Sequence, residues 1–209
     1  MIRVFVVDDH SIFREGVRQI LEETPDIRVA GEASNGRDAL DQVVAEAWDV
    51  LLMDLSMPEG GGLEALQQIR SVRPDLPVLI LSMYPEAQYA VRVLKAGAAG
   101  YLNKDAAPDE LVDAVRKVAA GRKYVNPEVA EHLVTRLGPD PPGLPHEALS
   151  DREFQVLRLI ASGKTVTDIG LELALSVKTV STYRSRILDK MGMSSNAELT
   201  RYALENQLV

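Results

Sequence analysis

Asp8 and Asp9 close the apolar run Val4-Phe5-Val6-Val7, and Asp54 closes a second run, Val50-Leu51-Leu52-Met53. Ser82 closes a third, Val78-Leu79-Ile80-Leu81, and Lys104 follows a fourth segment, Gly100-Tyr101-Leu102-Asn103. Three carboxylates, a hydroxyl and an ammonium at four such ends suit a hard cation and a phosphoryl group. Mg²⁺ takes near-octahedral oxygen ligands and keeps several waters, so one or two carboxylates plus a phosphate oxygen make a usual site. Asp9 and Asp54 can supply those carboxylates, with Asp8 acting directly or through water. A carboxylate can also accept a phosphoryl group as an aspartyl-phosphate, and a metal then offsets the incoming charge. Lys104 adds a point positive charge, and the Ser82 hydroxyl can donate to a phosphoryl oxygen. A single Asp at a strand end is more often a turn or cap residue. The joint placement of all these groups is what favours chemistry. His10 sits beside the acids, but Mg²⁺ avoids imidazole, so a helix-start role is expected for it.

The elements that must bring these groups together are legible. Strand-like runs near 2–8, 27–33, 49–54, 77–82 and 99–103 alternate with helical patterns near 11–23, 36–46, 62–72, 86–96 and 108–120. Most of the strands are continuous apolar runs, as in a parallel sheet covered by helices on both faces. The series predicts a flavodoxin-like, doubly wound (βα)5 domain of strand order 2-1-3-4-5. In such a sheet the carboxyl ends of the strands share one edge, where ligands bind. Gly97 is expected to stop the fourth helix.

A further helix is expected near 128–136, followed by a stretch from Leu137 to Pro145 that holds four prolines and two glycines. That composition marks a semi-rigid linker. The remainder reads as four helices near 150–161, 165–173, 177–190 and 196–205. Ser150 with Glu153, Thr165 with Asp168, and Ser195 with Glu198 place a cap oxygen three residues before an acid, and Ser176 is a fourth cap. The domain boundaries expected are 1–124, a connecting segment 125–149, and 150–209.

Composition narrows the partners. The chain of 209 residues is 46% hydrophobic and 26% charged, has no cysteine and carries a net charge of -8. Disulfides, thiolate metal sites and cysteine nucleophiles are thereby excluded. No apolar run approaches the ~20 residues needed to span a bilayer, and no signal-peptide pattern precedes the first strand. A cytoplasmic location and no membrane partner are expected. The acidic balance argues against nucleic acid until it is divided. Residues 150–209 hold 8 Lys+Arg against 7 Asp+Glu, whereas 1–149 hold 15 against 24. Lys178, Arg184, Arg186 and Lys190 crowd one short segment against the single acid Asp189.

That segment has helix-turn-helix spacing, with helices 165–173 and 177–190 joined by Ala174-Leu175-Ser176. Val177, Val180, Ile187 and Met191 suit burial. Lys178, Ser181, Thr182, Arg184, Ser185 and Arg186 point mainly elsewhere. Small polar side chains flanked by cations fit a helix in a major groove of double-stranded DNA, with cations on phosphates and polar groups on base edges.

The motifs Val7-Asp8-Asp9-His10, Asp54-Leu55-Ser56-Met57-Pro58, Leu81-Ser82, Lys95-Ala96-Gly97-Ala98 and Gly100-Tyr101-Leu102-Asn103-Lys104-Asp105 make residues 1–120 resemble a response-regulator receiver domain. The resemblance implies Asp54 as phosphoacceptor. It implies Asp8, Asp9, Asp54 and the Ser56 backbone carbonyl as partners of Mg²⁺ or another divalent cation. It also implies Ser82 as switch hydroxyl, Tyr101 as switch aromatic turning inward on phosphorylation, and Lys104 as phosphate-binding lysine. Gly60-Gly61-Gly62 departs from a loop that usually carries Asp or Asn before its final Gly. Met83 stands where many receivers have a smaller residue.

The stretch Leu149-Ser150-Asp151-Arg152-Glu153-Phe154-Gln155-Val156-Leu157 through Gly163, then Ser176-Val177-Lys178-Thr179-Val180, resembles the LuxR-type four-helix DNA-binding domain. Together the two identify the chain as a member of the NarL/FixJ-type two-component response regulators. The match implies Ser181, Thr182 and Ser185 as base readers, and Lys178, Thr179, Tyr183 and Arg186 as phosphate contacts. It also implies a sensor histidine kinase as partner and a homodimer on DNA. Gly170 stands where an alanine is common and is expected to loosen its helix. The rivals from other classes are a metal-dependent phosphotransfer or phosphatase enzyme and a protein-interaction module.

Overall fold

The computed structural model describes residues 1–55, 57, 62–83, 86–126, 129–130, 144–206 and 208–209. The chain divides into two compact units, Met1–Gly138 and Pro139–Val209. The expected helix near 128–136 and most of the Pro/Gly-rich stretch lie outside the described residues.

In the first unit β1 (Ile2–Val7), β2 (Ile27–Ala33), β3 (Val50–Asp54), β4 (Val78–Ser82) and β5 (Gly100–Asn103) form one parallel sheet of order β2-β1-β3-β4-β5. It alternates with α1 (Ser11–Glu22), α2 (Gly36–Ala45), α3 (Gly62–Val72), α4 (Glu86–Lys95) and α5 (Pro108–Ala119). β3 and β4 are buried throughout, which is why they read as unbroken apolar runs. Alternate residues serve opposite faces. Val4, Val6, Val50, Leu52, Leu79 and Leu81 meet Val17 and Leu21 of α1 and Leu111, Val115 and Val118 of α5. On the other face Phe5 stacks on Trp48 at 4.7 Å.

The register fixes the edge that matters. Val7 pairs with Met53, Asp54 with Leu81, and Ser82 with Asn103. Asp8 therefore follows Val7 beside Asp54, and Lys104 follows Asn103 beside Ser82. The Lys104 amide donates to the Ser82 carbonyl at 2.9 Å, carrying the β4–β5 pairing to the pocket rim. Gly62 opens α3 against the β3 end: a Cβ there would lie 2.4 Å from the Leu55 Cα. Only glycine lets that helix start against the pocket floor.

Among the described residues the second unit holds a 3-10 helix (Pro145–Ala148) and four α-helices: α6 (Asp151–Ala161), α7 (Val166–Glu172), α8 (Val177–Met191) and α9 (Asn196–Glu205). Phe154, Leu157, Ile160, Ile169, Val180, Ile187 and Leu199 are buried in it. Ser150–Glu153 and Thr165–Asp168 close as full capping boxes. Ser195 caps α9 by accepting from the Glu198 amide, but the Glu198 carboxylate turns to the Ser194 amide and hydroxyl instead. Ser176 caps α8 by accepting from the Thr179 amide.

Gly170 corrects one expectation. A Cβ at this position would lie 2.8 Å from the Leu175 carbonyl oxygen, a backbone atom. The glycine therefore lets α7 pack directly on the turn to α8, where looseness was expected.

Candidate functional site

Asp8 and Asp54 are each 1% exposed, and Ser82 is fully buried. Lys104 Nζ lies 2.7 Å from Asp8 Oδ2 and 2.9 Å from Asp54 Oδ2. Its ammonium also stands 4.5 Å from the centre of the Phe13 ring on α1, an apolar, electron-rich wall. Phe13 was not singled out in the sequence, where it reads only as an apolar helix position.

The His10 amide donates to Asp8 Oδ1 at 2.8 Å, which fixes that carboxylate. His10 occupies the N-cap of α1, but its side chain caps nothing. The expected helix-start role is thus filled by its backbone, and its imidazole turns to the acids instead. The structure brings together Asp8, Asp9, Asp54, Ser82 and Lys104. Ser56 lies outside the described residues.

Three carboxylates face one ammonium. Asp8 Oδ2 and Asp9 Oδ1 are shut off from solvent and accept no hydrogen bond; Lys104 approaches Asp8 Oδ2 closely, but off the line a hydrogen bond needs. Like charges held this close in a low dielectric are costly unless a cation intervenes. One oxygen each from Asp8, Asp9 and Asp54, with His10 Nδ1, lie within 4.8 Å of one another. The donor set fits a divalent cation.

Tyr101, in the middle of β5, is 1% exposed, so its ring already lies inward. Met83 is 59% exposed, immediately after the Ser82 hydroxyl.

In the second unit Lys178, Ser181, Thr182, Ser185 and Arg186 are all exposed on α8. Their spacing of three and four puts them on one stripe of the helix. The opposite stripe, Val180, Ile187 and Met191, is buried. Val177 was expected there too, yet it is 46% exposed. It opens the helix, one turn before the packed stripe begins.

Thr179 and Tyr183 are half-buried. The Thr179 hydroxyl is engaged with the Ser176 hydroxyl at 2.8 Å, within the cap. The Thr182 hydroxyl donates to the Lys178 carbonyl at 3.0 Å, leaving its lone pairs outward. Arg184 donates to Asn196 Oδ1 at 2.6 Å, so it ties α8 to α9. Ala174, at φ 54, makes the turn that sets α8 against α7.

His146 was passed over as part of the connecting segment. It is buried, its Nδ1 is 2.7 Å from the Tyr202 hydroxyl, and its ring lies near those of Phe154 and Tyr202. No residue pattern around it signals that burial. Among the described residues no helix is long and apolar enough to cross a membrane.

Comparison with known proteins agrees with both units. The response regulator receiver domain family matches residues 4–116, and the luxR family of bacterial regulatory proteins matches residues 147–203. Over 209 residues the chain is 42% identical to the response regulator UvrY of Escherichia coli O6:H1, spanning all of this chain and 96% of that protein. The response regulator GacA of Pseudomonas aeruginosa is 39% identical over 210 residues, spanning all of this chain and 98% of its own. A solved structure of RcsB from Salmonella enterica serovar Typhimurium is 29% identical with a TM-score of 0.60, over 96% of this chain and 97% of that one. That RcsB is bound to a promoter in the presence of phosphomimetic BeF3-. A receiver joined to a LuxR-type helix-turn-helix makes a transcription regulator and not an enzyme with a substrate of its own. With a buried acidic pocket at the sheet edge and an exposed polar stripe on α8, this chain belongs to the two-component response regulators of the NarL/FixJ type.

Proposed function

We propose that Asp54 accepts a phosphoryl group from a cognate sensor histidine kinase and that this event controls sequence-specific DNA binding. The observation that carries the reading is the buried Asp54 carboxylate, 2.9 Å from Lys104 and sharing that cation with Asp8. One Asp54 oxygen attacks phosphorus as the bond to the kinase imidazole breaks, leaving an acyl phosphate on Asp54 and a free imidazole on the kinase. Asp8, Asp9, Asp54 and the Ser56 carbonyl would hold Mg²⁺ or another divalent cation, which offsets charge on the transferring group. Lys104 moves from the carboxylates to a phosphoryl oxygen, and the Ser82 hydroxyl donates to another. Tyr101 rests inward, so phosphorylation here holds an aromatic that is already in place. β5 and α4 then form the surface that changes between states.

For DNA, Ser181, Thr182 and Ser185 read base edges, and Lys178, Thr179, Tyr183 and Arg186 contact phosphates. The exposed stripe on α8 supports this for all but Thr179 and Tyr183, which are half-buried and would act at its margin. The RcsB neighbour, seen on a promoter, is in keeping with double-stranded DNA as partner. We take 1–124 as receiver, 125–149 as connecting helix and linker, and 150–209 as the DNA-binding domain. The working form is a cytoplasmic protein that binds DNA as a two-fold homodimer.

The test is acetyl phosphate with Mg²⁺, read by intact-mass spectrometry. One phosphoryl group is expected on the wild type and none on Asp54→Asn. EDTA should stop the labelling. Equal labelling of both proteins, or undiminished labelling in EDTA, would sink the assignment.

A further inference from the structure

One donor atom in the acidic pocket differs in kind from the rest. His10 Nδ1 lies 2.9 Å from Asp9 Oδ1 and 3.3 Å from Asp8 Oδ1. With one oxygen each from Asp8, Asp9 and Asp54, it belongs to a set whose members all fall within 4.8 Å of one another. Neighbouring donors around an octahedral ion with bonds of about 2.1 Å stand about 3.0 Å apart, and opposite donors about 4.2 Å. The four donors therefore span little more than one such shell, and an ion entering it displaces the Lys104 ammonium that now lies between Asp8 and Asp54.

Asp9 Oδ1 is an independent sign. It is shut off from solvent and accepts no hydrogen bond, although the imidazole nitrogen stands 2.9 Å away. With Nδ1 deprotonated, a nitrogen and a carboxylate oxygen this close can share a cation. The imidazole makes no cap hydrogen bond; its Nδ1 instead lies in hydrogen-bond reach of Asp8 Oδ1, another donor of the set, at 3.3 Å.

Mg²⁺ takes oxygen donors throughout, whereas imidazole suits zinc, nickel and the neighbouring ions of the series. We propose that His10 is a metal ligand that opens this pocket to imidazole-accepting divalent ions, Co²⁺, Ni²⁺ and Zn²⁺, alongside Mg²⁺. The proposal rests on the reading of the pocket as a cation site. An ion held by three carboxylates and an imidazole has fewer open positions for a phosphoryl oxygen. Such an ion therefore competes with the Mg²⁺ form that accepts phosphate.

The experiment is equilibrium dialysis of the full chain against Mg²⁺, Co²⁺ and Zn²⁺, for the wild type, His10→Ala and Asp9→Ala. The His10 side chain is 67% exposed, so its removal leaves packing intact; circular dichroism checks this. His10→Ala should weaken Co²⁺ and Zn²⁺ at least about tenfold and leave Mg²⁺ within about twofold. The visible absorption of bound Co²⁺ should shift as the nitrogen donor is lost. Asp9→Ala should weaken all three ions, which assigns them to this pocket and not to His132 or His146. Wild-type Co²⁺ and Zn²⁺ binding in His10→Ala, with loss in Asp9→Ala, would overturn the His10 ligand and leave the cation site standing. Equal loss of Mg²⁺ and Co²⁺ in His10→Ala would also overturn it, because the imidazole would then be positioning the acids. Unchanged binding of every ion in Asp9→Ala would overturn the cation site itself.

Discussion

Removing the Asp54 charge should stabilise the receiver when no divalent ion is bound. Asp54 attracts Lys104 at 2.9 Å and repels Asp8 and Asp9, whose facing oxygens lie within 4.8 Å. At an effective dielectric of about 20 the attraction is about 6 kcal/mol, and each repulsion is at least about 3.5 kcal/mol. Asp54→Asn loses the first and relieves the other two, so the pairwise energies nearly cancel. What remains is the cost of keeping a carboxylate that is 1% exposed out of water, several kcal/mol for a buried ion. Part of that is recovered when an amide takes its place, and we expect a net gain of about 1–2 kcal/mol in EDTA. Lys104→Met should do the reverse, because it strands the carboxylates without a cation; a loss of about 3 kcal/mol is expected.

The reporter is built in. Trp48 is the single tryptophan; it is buried against Phe5, and its indole N–H donates to the Gln42 carbonyl at 3.2 Å. Its fluorescence in a urea titration therefore follows the receiver alone. A gain of about 1–2 kcal/mol moves the midpoint up by roughly 0.5–1 M. Mg²⁺ should then stabilise the wild type by its binding energy and Asp54→Asn by much less. An Asp54→Asn protein less stable than wild type in EDTA would refute the charge argument. So would equal stabilisation of the two by Mg²⁺.

Four further outcomes follow from the second unit. Lys178→Ala and Arg186→Ala should each weaken binding to all DNA sequences and lower the salt slope by about 1, measured by gel shift across salt concentrations. Substitutions at Ser181 or Ser185 should change which sequence is preferred. Gly170→Ala should cost about 1–2 kcal/mol in a thermal melt despite a helix-propensity gain of about 1 kcal/mol, because the new Cβ meets the Leu175 carbonyl. Burial pushes the Glu153 carboxyl up, but the Lys190 ammonium and the Ser150 amide, both hydrogen-bonded to it, outweigh this and hold it below the usual glutamate range. Its contribution is present above about pH 4.3 and lost as pH falls through the lower folded value. Glu153→Gln should lower helical stability by about 1–2 kcal/mol at neutral pH and flatten that acid loss, as read by circular dichroism.

The sheet was legible because its signals are local. Runs such as Val50-Leu51-Leu52-Met53 are continuous only because helices cover both faces, and that pattern sets strand number and pairing without any knowledge of contacts. The caps at Ser150 and Thr165 were equally local, each needing only an acid three residues on. What sequence could not supply was direction. Ser195 with Glu198 has the same spacing, yet the Glu198 carboxylate chose Ser194. Val177 is as apolar as Val180 but begins its helix outside the packed stripe. Gly170 reads as a weak helix residue until the Leu175 carbonyl is seen against it. His146 carries no signal at all, because its partners Phe154 and Tyr202 are assembled by the tertiary fold.

The acidic pocket divides the same way. That Asp8, Asp54, Ser82 and Lys104 share an edge follows from a one-residue register between neighbouring strands. That the edge is short of positive charge does not follow from register. It depends on burial, and on one ammonium lying between two carboxylates while a third stands nearby. A surface cluster of the same residues would be screened by water and would gain little from a cation. Here, enclosure makes the missing charge expensive, so binding a cation and stabilising the sheet edge draw on one electrostatic deficit. Substitutions that change the charge at Asp54 or Lys104 must therefore trade stability without metal against metal affinity: Asp54→Asn gains the first and loses the second, and Lys104→Met does the reverse.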